Sequence, residues 1–251
     1  MKDYFVNKIQ GPGDLTFVLI HNAGGSHKFF THQIEFLTTL GSVVILDLPG
    51  HGLSKTTNDF SVAGNARFII DICNELKLNK ICLIGLNNGA TIALDLALKG
   101  TLQLFGLILI DPPIFMDQAF IEEINNFIAS LDHSSVEEFA HVLANSLFIE
   151  TSEINRKLAF KAFCQANKLT LQQTFKELLW WDKHTAKNVA NLTLPILCIM
   201  TDGHHCSYQK LNQFAPNFTL AQVVGSKCWA TLEVPEQINA MVTRFVKVYT
   251  I

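Results

Sequence analysis

Short apolar runs bounded by turn residues recur along the 251-residue chain, at residues 16–21, 42–48, 80–84, 106–111, 195–200 and 219–224. Each run is continuous rather than alternating. That is the pattern of strands covered on both faces of a parallel sheet. Helical stretches lie between them, at roughly 27–40, 61–76, 88–98 and 235–249. Strand and helix alternate, so the pattern predicts an α/β fold with a doubly wound, mostly parallel sheet.

Residues 112–194 break the alternation. They carry no strand signal and read as helical, with Phe120, Ile124, Phe127, Ile128 and Leu131 on one stripe. Ser135 with Glu138, and Thr170 with Gln173, have the spacing of capping boxes. Helices inserted between two strands of such a sheet usually sit over its carboxyl edge, where ligands bind. The segment is therefore expected to form a helical cap inserted within a single domain spanning 1–251. Its aromatic residues include Phe115, Phe139, Phe148, Phe160, Phe163, Phe175, Trp180 and Trp181. Most are expected to pack the cap onto the body, and a few to line an apolar pocket.

Composition narrows the class. The chain is 49% hydrophobic and 16% charged, which excludes disorder. A net charge of −3 and the lack of a basic run give no electrostatic case for nucleic acid or an anionic membrane. No apolar run reaches the roughly 18 residues of a spanning helix, and the N-terminus has no signal-peptide core. The six scattered cysteines read as reduced thiols. A cytoplasmic protein without cofactor is the expectation, and the sequence leaves its oligomeric state open.

Four patterns then stand in order. His21-Asn22-Ala23-Gly24-Gly25-Ser26 follows a strand. Asp47-Leu48-Pro49-Gly50-His51-Gly52-Leu53-Ser54 forms a turn. Gly85-Leu86-Asn87-Asn88-Gly89 joins a strand to a helix. Val224-Gly225-Ser226-Lys227-Cys228-Trp229 precedes Leu232-Glu233-Val234-Pro235-Glu236. Together they resemble the α/β-hydrolase superfamily over nearly the whole chain outside the cap. The resemblance implies an oxyanion loop at His21–Ser26, a nucleophile elbow centred on Asn87, and the catalytic-histidine loop at Cys228.

Two of these positions depart from the family. The elbow holds its central residue at φ > 0, which Asn tolerates better than most residues. Asn87 keeps the turn but brings no hydroxyl. Cys228 stands where the family has histidine, and a thiol does not relay a proton near pH 7 as an imidazole does. The acid is ambiguous among His204, at the family spacing, Asp202, two residues earlier, and Asp111 at the preceding strand end. The backbone N–H groups of Ala23 and Asn88 remain as oxyanion donors, with Asn22 and His21 in the same loop. His21 is expected to be structural, as is the turn residue His51. His27, His32, His133, His141 and His184 are expected to be solvated or on helix faces.

This constellation predicts a non-hydrolytic or weakly active homologue that holds a small, partly apolar carbonyl or carboxylate ligand. An alternative is ester or thioester hydrolysis by Cys228 with His204 or His205 as base. A further alternative is a scaffold for a protein partner. A metal site at His204, His205, Cys206 and Cys228 is disfavoured, because consecutive residues on an extended chain point apart.

Overall fold

In the computed structural model, described for residues 3–149, 152–203 and 206–249, the six apolar runs form strands. They are β2 (Leu15–Ile20), β3 (Ser42–Leu46), β4 (Lys80–Leu86), β5 (Leu104–Ile110), β6 (Ile196–Met200) and β7 (Thr219–Gln222). A seventh strand, β1 (Val6–Ile9), pairs antiparallel with β3 at one sheet edge. The sheet order is β1-β3-β2-β4-β5-β6-β7, and every pair other than β1–β3 is parallel.

The continuous apolar runs are explained by a core on each face. Phe17 and Leu19 pack into one hydrophobic cluster while Val18 and Ile20, alternating with them along β2, pack into the other. Successive strand side chains point to opposite faces, and along the inner strands both faces are dry. The run at 219–224 departs from the expectation of a buried strand: β7 is the other sheet edge and is largely exposed, because it is paired on one side only.

The body helices are α1 (Thr31–Thr38), α2 (Val62–Glu75) and α3 (Asn88–Lys99). A single 3-10 turn, His27–Phe30, leads into α1, so the expected helix at 27–40 begins as 3-10. Between β5 and β6 lie α4 (Gln118–His133), α5 (Val136–Ser146), α6 (Glu153–Gln165) and α7 (Lys168–His184). Ser135 and Glu138 make a complete capping box on α5. The second expected box is not formed. α7 starts earlier, with Asn167 as its cap accepting from the Thr170 N–H, so Thr170 already lies inside the helix. The chain continues through α8 (Tyr208–Phe214), α9 (Ala230–Glu233) and α10 (Pro235–Tyr249). Among the described residues, no helix is long and apolar enough to cross a membrane.

Candidate active site

The turn from β4 into α3 is tight enough to dictate its glycines. A Cβ on Gly85 would fall 2.5 Å from the Ala90 backbone, and one on Gly89 would fall 2.1 Å from the Ile20 carbonyl oxygen. Between them Asn87 sits at φ 49°, ψ −118°. That ψ lies well outside the left-handed helical well that asparagine visits readily, so the position is more strained than a positive φ alone implies. The Asn87 N–H donates to the Ile110 carbonyl at 2.8 Å, tying the turn to β5.

The side chain of Asn87 folds back onto its own turn. Its Oδ1 accepts from the Asn88 N–H at 3.0 Å, and its Nδ2 donates to the Asp111 carbonyl at 3.4 Å. The Asn88 N–H, expected to serve as an oxyanion donor, is thus already engaged.

The loop after β2 is built around a buried imidazole. His21 Nδ1 bonds the Asn22 carbonyl at 2.8 Å, and its Nε2 accepts from the Leu48 N–H at 2.9 Å. These partners suit a neutral ring with its proton on Nδ1. Burial, reinforced by neighbouring His51, lowers the His21 pKa to about 3. His21 therefore pins the loop to the turn after β3. Asn22 is buried, with Nδ2 donating to the Ala23 carbonyl at 3.0 Å and Oδ1 without a hydrogen-bond partner. Gly24 (φ +71°) lies under Phe163 of α6, where a Cβ would come within 2.2 Å of the ring.

The 47–54 turn is organised by Asp47, which accepts from the His27 N–H (2.7 Å), His27 Nδ1 (2.9 Å) and the Leu53 N–H (2.9 Å). Burial opposes ionisation of this carboxyl, but the bonds from His27 and Leu53 and the nearby His21 hold it below its usual range. His27 is consequently a partner of Asp47 that stacks on Phe5 at 4.3 Å, not the solvated residue the sequence suggested. His51 is buried, and burial lowers its pKa.

Cys228 lies in the loop between β7 and α9 and is buried. Burial, followed by the negative charges of Asp111, Glu123 and Glu233, raises its thiol pKa well above the usual value. Asp202 is spent on that loop's backbone. Its N–H donates to the Ser226 carbonyl at 2.8 Å and its Oδ2 accepts from the Gly225 N–H at 2.7 Å. Asp111 is fully buried at the end of β5 with φ 48°. Glu233 bridges this loop to the α5–α6 connection, accepting from Ser226 Oγ (2.7 Å) and from the Ile149 N–H (2.7 Å). The sequence offered no cue to that bridge. His204 and His205 lie outside the described residues, so the acid and base readings resting on them have no geometry here.

The structure brings Asn22, Ala23, Asn87 and Cys228 together around one cavity, completed by apolar side chains of α4–α7 and by Trp229. His21 and Asn88 stand behind its wall, since neither lines it. Its open volume is only about 60 Å³. That leaves room for a small group rather than a large one. Aromatic packing accounts for the tightness, with Trp229 contacting Phe29, Phe148 and Phe163 at centroid distances of 5.2, 4.5 and 5.9 Å. Glu123 is exposed and also lines the cavity, at its mouth. Phe120, Glu123, Ile124 and Phe127 share one face of α4, and their i, i+3, i+4, i+7 spacing was the available signal for it. No group of three or more His, Cys, Asp or Glu side chains capable of holding a metal occurs among the described residues.

This sheet order, with a strained turn between β4 and α3 facing a backbone loop after β2, defines the α/β-hydrolase class. Residues 12–224 match the family described as serine aminopeptidase, S33, and the chain belongs to that family. It is 36% identical over 91 residues to the magnesium-chelatase 30 kDa subunit of Rhodobacter capsulatus. The match takes in 35% of this chain, which spans about a third (32%) of that relative's length. Its fold is shared with a hydrolase from Oleispira antarctica (TM-score 0.85, 19% identity, covering 98% of this chain and 95% of that one). It is shared also with an esterase from Exiguobacterium antarcticum (TM-score 0.83, 18% identity, covering 97% and 95%).

Proposed function

We propose that this protein is a non-hydrolytic or weakly active α/β-hydrolase homologue that holds a small, neutral, partly apolar ligand in the cavity beside Asn87. The observation that carries the reading is the hydrogen bond from the Asn88 N–H to Asn87 Oδ1. In a working hydrolase that donor stabilises the developing oxyanion. Here the elbow residue's own carboxamide oxygen takes the place a substrate oxygen would fill. A carboxamide also offers no nucleophilic electron pair comparable to an alkoxide, and a protonated buried thiol at Cys228 is no general base.

Electrostatics favour a neutral ligand over the carboxylate the sequence suggested. After burial, the charges of Asp111, Glu123 and Glu233 raise the Cys228 thiol pKa against the opposing charge of Lys227, so negative charge predominates around that residue. The Asn22 carboxamide lines the cavity and can bond a hydroxyl or amide group. The surrounding phenylalanines suit a short apolar body. The Cys228-nucleophile alternative needs a depressed thiol pKa, and burial drives it the other way. The scaffold alternative draws on the small open volume.

The test is turnover of short and medium chromogenic esters and a thioester by the wild type, Asn87→Ala and Cys228→Ser, run beside titrations with short alcohols and primary amides. Background rates throughout, with saturable binding of a neutral probe, are the expected result. A clear wild-type rate abolished in Cys228→Ser would overturn the reading in favour of the thiol. Background rates with no binding would transfer it to the scaffold.

A further inference from the structure

A second concavity, sharing no lining residue with the first, opens between the β5–α4 turn, α7 and α8. At about 470 Å³ it is far roomier than the cavity at Asn87. Its floor is apolar, formed by Phe115, Met116, Ile121, Leu179 and Phe214. Phe115 and Phe214 stack at 5.4 Å with an interplanar angle of 21°.

The backbone under this floor is strained. Phe115 has φ 51°, which a bulky side chain rarely adopts. Asp182 holds it there by accepting from the Phe115 and Met116 N–H groups. The Phe115 carbonyl in turn accepts from the Ser207 N–H at 3.0 Å. The turn delivers the Phe115 ring to the cleft floor.

The rim is cationic. Lys183 lies near the end of α7, Lys187 in the 3-10 segment that follows (Ala186–Asn191), and Lys210 on α8, and all three line the cleft. Lys210 Nζ donates to the Met116 carbonyl at 3.0 Å, which fixes its position. None of the three lysines makes an ion pair among the described residues. The one acidic lining residue, Asp182, has both oxygens committed to the backbone. Three lysines against the single carboxylate of Asp182, whose charge acts on Lys210, leave the cleft net positive on a chain of net charge −3.

We infer that this cleft binds a small amphiphilic anion, an alkyl or aryl body carrying one carboxylate- or phosphate-type head. The head meets Lys183, Lys187 and Lys210, and the body lies against Phe115, Ile121 and Phe214. Charge-assisted bonds fix the head, and burial of the apolar body adds affinity. The inference is independent of what the Asn87 cavity holds.

The experiment is calorimetric titration of the full chain with octanoate, with 1-octanol as the neutral counterpart. The triple variant Lys183→Gln/Lys187→Gln/Lys210→Gln is compared with Lys28→Gln/Lys161→Gln/Lys247→Gln, which has the same net charge. The expected result is saturable octanoate binding, weakened at least about tenfold in the first triple variant and unchanged in the second. Thermal unfolding of both variants establishes that each is folded. Should the first variant not fold, the single change Lys183→Gln replaces it, with a smaller loss expected. Absent octanoate binding, or equal binding by both variants, overturns the inference, as does octanol binding as tightly as octanoate. Vesicles of anionic phospholipid are added as a final arm. Vesicle binding competed by octanoate identifies a lipid headgroup as the source of the anion, whereas vesicle binding that octanoate does not displace overturns the site.

Discussion

Asn87 Oδ1 lies 3.0 Å from the backbone nitrogen of Asn88 and accepts its proton. Asn87 therefore satisfies with its own side chain the N–H that the family resemblance implied as an oxyanion donor. Four expectations follow from this contact and from the groups that frame it.

Asn87 trades strain against hydrogen bonds. At φ 49°, ψ −118°, glycine relieves the backbone while losing both side-chain bonds, and alanine loses the bonds while keeping the strain. Asn87→Ala is expected to destabilise by about 1–3 kcal/mol, and Asn87→Gly by about 1 kcal/mol less than that. Urea unfolding of the two variants checks the order. Equal losses would show that the backbone there is not strained.

Catalysis, if rebuilt, needs both altered positions. Asn87→Ser removes the carboxamide from the Asn88 N–H and supplies a hydroxyl, but Cys228 still offers no base. The single variants Asn87→Ser and Cys228→His are expected to stay at background with p-nitrophenyl acetate. The double variant is expected to rise above either by roughly 10²-fold, the low end for a positioned general base. A fully active Asn87→Ser would mean that another base already serves the site.

Acid should weaken the fold through His21. Its folded pKa, about 3, lies below the ordinary 6.5, so the protein holds the ring neutral. The stabilisation is fully present above pH 6.5 and is lost as pH falls from there toward 3. At pH 5 the loss from this one residue is about 2 kcal/mol. His51, lowered for the same reason, adds to it. Unfolding free energies from pH 7 to 4.5 should show this slope, and His21→Gln should flatten it. An unchanged slope in the variant would locate the acid sensitivity elsewhere.

Gly24 is the seat of Phe163. A methyl group there meets the ring at 2.2 Å and also carries an unfavourable φ of +71°. Gly24→Ala is expected to cost about 2–4 kcal/mol, and Phe163→Leu in the same chain to recover about 1 kcal/mol of it. A double-mutant cycle in thermal or chemical unfolding measures the coupling. Strict additivity would show that the ring does not bear on the loop.

Much of the sheet was legible because burial on both faces leaves uninterrupted apolar runs such as Val43–Leu46 and Leu107–Ile110. β1 was not, since Val6-Asn7-Lys8-Ile9 is short, partly exposed and paired on one side. The short α8 was equally silent. The tight turn at Asn87 was written in glycine spacing, because a Cβ on Gly85 or Gly89 would collide with the Ala90 backbone or the Ile20 carbonyl oxygen. What the carboxamide of Asn87 does with its oxygen was not written anywhere, because a side-chain torsion decides it. The seating of Phe163 on Gly24 and of Glu233 on Ile149 depends on how separate elements dock. Local patterns carry no register for such contacts.

The Glu233 bridge has a bearing on how anything reaches the cavity. It ties Ile149, just past α5, to the Cys228 loop. On the α4 side, Glu123 lines the cavity and is exposed. A carboxylate there slows the arrival of anions before any equilibrium inside is consulted. On the proposed reading, selection for neutral molecules is then expected first as a difference in association rate.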